Sequence, residues 1–163
     1  MRLSVAPWPT SLKAVSALSC AVLIVVPFLA WQTTSRAGPL RWLGGAVAWI
    51  SLLVIAGSLL FVVTEYELDD HRLSIRRLLW STRIDLSGLS RVFREPDGFK
   101  GSMRLLGNGG LFSFSGLFYS RRLGRYRLFA TDPKRLVVMI MPRRTVVISP
   151  ADPEAFLRAI SAR

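Results

Sequence analysis

The chain contains one histidine, His71, and one cysteine, Cys20. A Ser-His-Asp relay would rest wholly on His71, and no grouping of His, Cys, Asp and Glu has the spacing that supplies the three or four ligands of a zinc site. His71 follows Asp69 and Asp70 in a stretch that reads as a turn, where a solvated imidazole has no positioned partner to make it a general base. Glu65, Glu67 and Asp69 fall on one side of an extended segment and offer either oxygen ligands to a cation or a plain solvent-facing strand edge. No catalytic residue, metal ligand or cofactor-binding residue is assigned, and an enzyme is not expected.

The residues with recognition chemistry are basic and aromatic. Arg121, Arg122, Arg125 and Arg127 cluster in sequence, and Arg143 and Arg144 form a second pair. Guanidinium groups so placed suit the phosphates of anionic headgroups. The segment Gly107 to Tyr119 interleaves Phe112, Phe114, Phe118 and Tyr119 with Gly and Ser. It lacks G-x-G-x-x-G and has no Lys-Ser or Lys-Thr, so a phosphate-loop reading is weak. Two readings stand: Phe112, Phe114, Phe118 and Tyr119 dip into a headgroup layer, with Arg121 and Arg122 on phosphates, or the aromatics fill the core of a hairpin. The candidate lipid- or partner-binding residues are therefore Arg121, Arg122, Arg125, Arg127, Arg143, Arg144, Phe112 and Phe114.

The elements that must carry these residues divide sharply at Glu65. Ala14 to Trp31 and Trp42 to Val63 are two uncharged apolar stretches. At about 1.5 Å rise per residue they span roughly 27 and 33 Å as helices, close to a bilayer's hydrocarbon thickness. A signal peptide is the alternative for the first, but the run is long, Pro27 interrupts it, and no small-x-small site follows. Neither stretch holds an ionisable residue, which argues against a transport pathway. Ala17 and Ala21, and Gly44 and Ala48, have the four-residue spacing of close helix packing. Arg2 and Lys13 precede the first stretch, whereas Arg72, Arg76, Arg77 and Arg83 follow the second. Positive-inside bias then predicts a multi-pass membrane protein with both termini cytoplasmic. The expected division is a cytoplasmic N-terminus at 1–13, membrane helices at 14–31 and 42–64, an external loop at 32–41, and a cytoplasmic domain at 65–163.

All ten acidic residues and eighteen of the twenty-two basic ones lie in that last segment, which gives it a net charge of +8. Beside an inner leaflet such charge meets anionic headgroups before nucleic acid, and each nearby Lys or Arg gains about 1 kcal/mol there. Its apolar residues alternate. Tyr66 and Leu68, Leu73 and Ile75, and Ile84 and Leu86 each mark the buried side of a strand, and together they make an antiparallel meander. Arg125 to Thr131, Leu136 to Met141 and Thr145 to Ser149 are further strand-length runs separated by Asp132-Pro133-Lys134 and Pro142-Arg143-Arg144. Asp152 then caps a short helix with Pro153 at its first position and Phe156, Leu157 and Ile160 on one face.

The order of meander, Gly/aromatic segment, strands and closing helix resembles the bacterial pleckstrin-homology (PH-like) domains that follow a two-helix membrane anchor. The resemblance rests on Gly107-Asn108-Gly109-Gly110-Leu111-Phe112, Gly116-Leu117-Phe118-Tyr119, Leu123-Gly124-Arg125-Tyr126, Phe129-Ala130-Thr131-Asp132-Pro133 and Ile148-Ser149-Pro150-Ala151-Asp152-Pro153-Glu154-Ala155-Phe156. It implies a membrane-anchored, mainly β fold: a transmembrane helical hairpin, then a PH-like antiparallel β-sandwich or barrel with a C-terminal α-helix. It also implies no enzymatic activity. One departure bears on ligands, because the turn where phosphoinositide-binding PH domains carry basic residues is here Asp69-Asp70-His71, which repels phosphate. The expected role is a non-enzymatic binding or scaffold module for a protein partner at the membrane face. Anionic-headgroup recognition through the arginines is the alternative, and an enzyme acting on a membrane-embedded substrate the weakest reading.

Overall fold

The computed structural model describes residues 2–34, 38, 41–69 and 71–162. The expected external loop at Arg36 and Ala37, the turn residue Asp70 and the terminal Arg163 lie outside these. The order is β1 (Arg2–Ser4), α1 (Thr10–Thr34), α2 (Arg41–Leu60), β2 (Val63–Leu68), β3 (Arg72–Arg77), β4 (Ser81–Asp85), β5 (Arg91–Arg94), β6 (Met103–Gly109), β7 (Phe114–Ser120), β8 (Gly124–Ala130), β9 (Val137–Met141), β10 (Arg144–Ile148) and α3 (Pro153–Ser161).

The helices α1 and α2 are long and apolar enough to cross a membrane, and only 11 % of the apolar window of each is buried in the protein. A core helix of a soluble protein would bury far more, so their Leu, Val, Ile and Phe side chains are left for another apolar medium. The helices pack on each other where Gly44 meets α1: a Cβ there would stand 2.6 Å from Thr34 Oγ1 and 2.9 Å from Trp31 Cα. Of the small residues at four-residue spacing, Gly44 is thus one the packing requires. The second helix stops at Leu60, short of the residue 64 expected. Val63 instead opens β2, pairs with Arg77 and is buried, because a β-branched residue gains more in the sheet than at a fraying helix end.

The strands form a four-stranded sheet, β1-β2-β3-β4, and a six-stranded sheet, β5-β9-β10-β8-β7-β6. The alternation read from the sequence holds: Tyr66, Leu68, Leu73, Ile75 and Ile84 are buried. They meet Phe129, Val137, Met139, Val146, Ile148 and the α3 residue Phe156 in a core between the sheets. A second cluster, around Phe118, Tyr126, Leu128 and Val138, lies on the other face of the large sheet, with Phe93 and Phe99 packed against it. Asp152 caps α3 as expected, its carboxylate accepting from the amides of Glu154 and Ala155 at 3.0 Å.

Two features depart from the sequence reading. One pair in the large sheet is parallel: β10 runs beside β8 with Val146 opposite Arg127, because the β9-β10 hairpin folds back so that β10 fills the slot between β9 and β8. The other lies in the segment 1–13, to which the sequence reading gave no strand. Arg2–Ser4 pairs antiparallel with β2, Arg2 facing Glu67 and Ser4 facing Glu65. The next residues complete the join: Ala6 N–H donates to Ser149 O at 2.9 Å, Ala151 N–H to Ser4 O at 2.9 Å and Thr131 Oγ1 to Ala6 O at 2.6 Å. The helical hairpin is therefore an insertion between two adjacent strands of one sheet.

Candidate functional site

The strand directions give the domain a helix-proximal and a helix-distal end. Thr131 and Ser149, just past β8 and β10, hold Ala6, four residues before α1 begins. The loop Gly110 to Ser113 docks at the same end. Phe112 N–H donates to Ser16 Oγ of α1 at 2.9 Å, Ser16 Oγ donates to Gly110 O at 3.3 Å, and Ser113 Oγ donates to Phe61 O, just past α2, at 3.3 Å. Asn108 braces the loop by accepting from Leu111 N–H at 3.0 Å. Phe112 is half-buried at φ 65°, with its ring 6.1 Å from Trp8. Phe114 and Phe118 turn inward onto Phe99 at 5.1 and 5.8 Å. Of the two aromatic candidates, Phe112 thus lies against the entry to α1 and Phe114 against the core.

The six candidate arginines, all exposed, are divided by the fold. Arg125, Arg127, Arg143 and Arg144 line one groove of about 300 Å³ together with Leu117, Tyr126 and Thr145. Arg121 and Arg122 lie in the β7-β8 turn outside that groove, and Arg122 is held by Glu95 at 3.2 Å. From Arg125 to Thr131 the strand covers six residues, about 20 Å at 3.3 Å each, so Arg125 and Arg144 stand at the helix-distal end. Glu65 and Glu67 reach Arg76 at 3.5 and 3.8 Å, and Glu67 reaches Arg2 at 3.6 Å. These two acids serve cross-strand charge pairing. Among the described residues no cluster of three His, Cys, Asp or Glu has metal-holding geometry.

A second constellation, at the helix-proximal end, was not among the candidates. The Arg77 guanidinium lies 5.7 Å from the Phe61 ring centre, 5.6 Å from Trp80 and 5.1 Å from Phe129. Phe61 and Trp80 meet edge to face at 5.2 Å. Burial pulls Arg77 below its ordinary value, and its Nε is buried with no hydrogen-bond partner among the described residues. Beside it opens a groove of about 590 Å³ lined by Arg77, Thr82, Ser115 and Arg127 and by apolar Phe61, Leu106, Leu117 and Phe129. The sequence held a usable signal in Arg77-Leu78-Leu79-Trp80: a turn with two leucines between an arginine and a tryptophan is interfacial chemistry.

A family model described as a bacterial PH domain matches residues 64–163, more than half of the chain. The chain belongs to the bacterial PH domain family. No curated protein and no solved structure matches it. In this bacterial PH domain β1 lies outside the matched range, so the first sheet is completed by residues on the far side of the helical hairpin. Tyr66 is central to the join: its hydroxyl donates to Phe129 O at 2.6 Å and accepts from Ser149 N–H at 3.2 Å. Burial pushes its pKa up to about 12, so it stays protonated and keeps that donor. The PH domain thus carries two basic surfaces, a distal arginine groove and a proximal arginine set among aromatic rings.

Proposed function

We propose that this bacterial PH domain is a non-enzymatic docking module. Its two helices anchor it in the bacterial cytoplasmic membrane with both termini cytoplasmic, and its distal arginine groove receives an acidic surface of a protein partner. The orientation is supported by the excess of Arg and Lys flanking the helices on the domain side. It is supported independently by β1, since strands on either side of a helical hairpin pair only if both hairpin ends emerge on one face.

The observation that carries the partner reading is the convergence of Arg125, Arg143 and Arg144 about 20 Å from the helix entry, with Arg127 between them and the Arg77 groove. At physiological salt the Debye length is about 8 Å, so headgroup charge is largely screened at that distance, whereas a protein docked from the cytoplasm meets the groove directly. Arg121 and Arg122 are displaced to the same distal end, which favours a protein over a lipid contact for them as well.

Gentle solubilisation and purification of the full chain should yield a stoichiometric protein partner. R125Q/R143Q/R144Q should weaken that complex by about 1.5 kcal/mol, or roughly tenfold, at about 0.5 kcal/mol per exposed pair. Repeated purification without any partner, together with loss of binding to anionic vesicles in the triple variant, would reverse the assignment toward headgroup recognition by this groove.

A further inference from the structure

The proximal constellation has a chemistry of its own. Three rings stabilise the Arg77 charge electrostatically, but a ring face offers only weak acceptance to N–H donors. Arg77 pairs with no carboxylate among the described residues. A guanidinium desolvated on one side and free of an anion is complementary to a phosphodiester, which takes two parallel N–H bonds from its fork.

The space around it suits a lipid better than a soluble phosphate. The groove at Arg77 shares Phe61 and Gly107 in its wall with a cleft of about 420 Å³ between α2 and β6, lined also by apolar Leu53, Val54, Gly57 and Leu111 and by polar Ser58, Arg104 and Asn108. Leu53 lies eight residues before Phe61, about 12 Å up the helix axis. With α2 in the bilayer as proposed above, the two cavities join the headgroup level to the acyl-chain level. Leu78, Leu79 and Leu106 at the same end are 64 %, 71 % and 73 % exposed, an apolar rim beside the residue at which the chain leaves the helix. Phe61 and Trp80 lie at the same height, as interfacial aromatics do.

We propose that one anionic phospholipid binds here, its phosphate on Arg77 and one acyl chain along the Leu53–Gly57 face of α2, with the Leu78-Leu79 turn sunk in the same leaflet. The site is separate from the acidic turn at Asp69 and His71, which begins just past Leu68 at the opposite end of β2 from Val63. It uses none of Arg125, Arg143 and Arg144, so its failure and that of the distal groove are distinguishable.

The test is native mass spectrometry of the delipidated full chain in detergent, offered phosphatidylglycerol, phosphatidylcholine or soluble glycerol 3-phosphate. The expected result is one phosphatidylglycerol retained at least tenfold more tightly than phosphatidylcholine, with no competition from glycerol 3-phosphate. R77Q should lose that preference, while R91Q, which removes an exposed charge on β5, should keep it. Gly57→Leu supplies a variant that does not touch the arginine. A Cβ at Gly57 meets nothing within 4 Å, so the larger side chain fits the fold and fills the cleft, and phosphatidylglycerol retention should drop about tenfold with the melting temperature unchanged. Retention equal to wild type in either R77Q or Gly57→Leu, equal binding of the two lipids, or displacement by glycerol 3-phosphate would each overturn the assignment.

Discussion

Residues 64–163 expressed alone will melt well below the full chain, although they span the whole matched family range. The fragment lacks β1, which leaves the edge of β2 unpaired, and it lacks Ala6, which three hydrogen bonds tie together with Ser4 to Ser149, Ala151 and Thr131. At about 1 kcal/mol net for each bond, plus about 1 kcal/mol for leaving the buried Ser149 carbonyl without the Ala6 donor, the loss is about 4 kcal/mol. That is a large share of the 5–15 kcal/mol typical of a whole domain. A chimera that keeps residues 2–6 and replaces the helical hairpin by a short Gly/Ser turn into residue 62 should restore most of it, since Ser4 already stands opposite Glu65. Thermal unfolding followed by circular dichroism compares the two. Equal melting temperatures for fragment and chimera would show that β1 adds nothing to the domain.

Gly116→Ala should be the most disruptive single methyl in the domain. Gly116, at φ 151°, faces Gly107, at φ 107°, across the β6-β7 pair. A Cβ at Gly116 would stand 2.1 Å from Leu106 O and 2.9 Å from Gly107 Cα, and one at Gly107 would stand 2.3 Å from Ser115 O. Both obstacles are backbone, so relief requires β6 to move off the sheet, and overpacking of that kind costs about 3 kcal/mol. For a domain of this size that is a fall of roughly 12–24 °C in melting temperature. Gly101→Ala is the matched comparison. It places a side chain at φ 69° in open space, and its cost should be only about 1–2 kcal/mol of backbone strain. A Gly116→Ala protein melting within two degrees of wild type would rule out the close approach of β6 and β7. Because Gly107 and Gly116 also line the Arg77 groove, the same substitution should weaken phosphatidylglycerol retention.

The features legible in the sequence are those whose physics is local. Trp42 to Val63 without a charge implies a helix in an apolar medium, since composition alone decides whether a helix has a polar face to show water. Alternation at Tyr66-Leu68, Leu73-Ile75 and Ile84 reveals which side chains face the core, because strand parity is a two-residue property. Asp152-Pro153 announces its helix in the same way, through a cap that spans three residues. The resemblance to bacterial PH domains adds the order of these elements, which the family match over residues 64–163 supports.

Tertiary structure decided what depends on residues far apart in the chain. Nothing local marks Arg2–Ser4 as a strand; its partner lies more than sixty residues away, across both apolar helices. The end of α2 at Leu60 follows from Val63 finding Arg77, and the parallel β8-β10 pair follows from the path of the β9-β10 hairpin. The arginines show the same limit most clearly. Charge clustering in sequence singled out Arg121 and Arg122 together with Arg125, Arg127, Arg143 and Arg144. A sequence gives the number of charges but not their distance from the helices, and strand direction carried all of these but Arg127 to the distal end. Arg77, counted before only as a charge after the second helix, was brought by the fold against Phe61, Trp80 and Phe129, three rings from three separate segments.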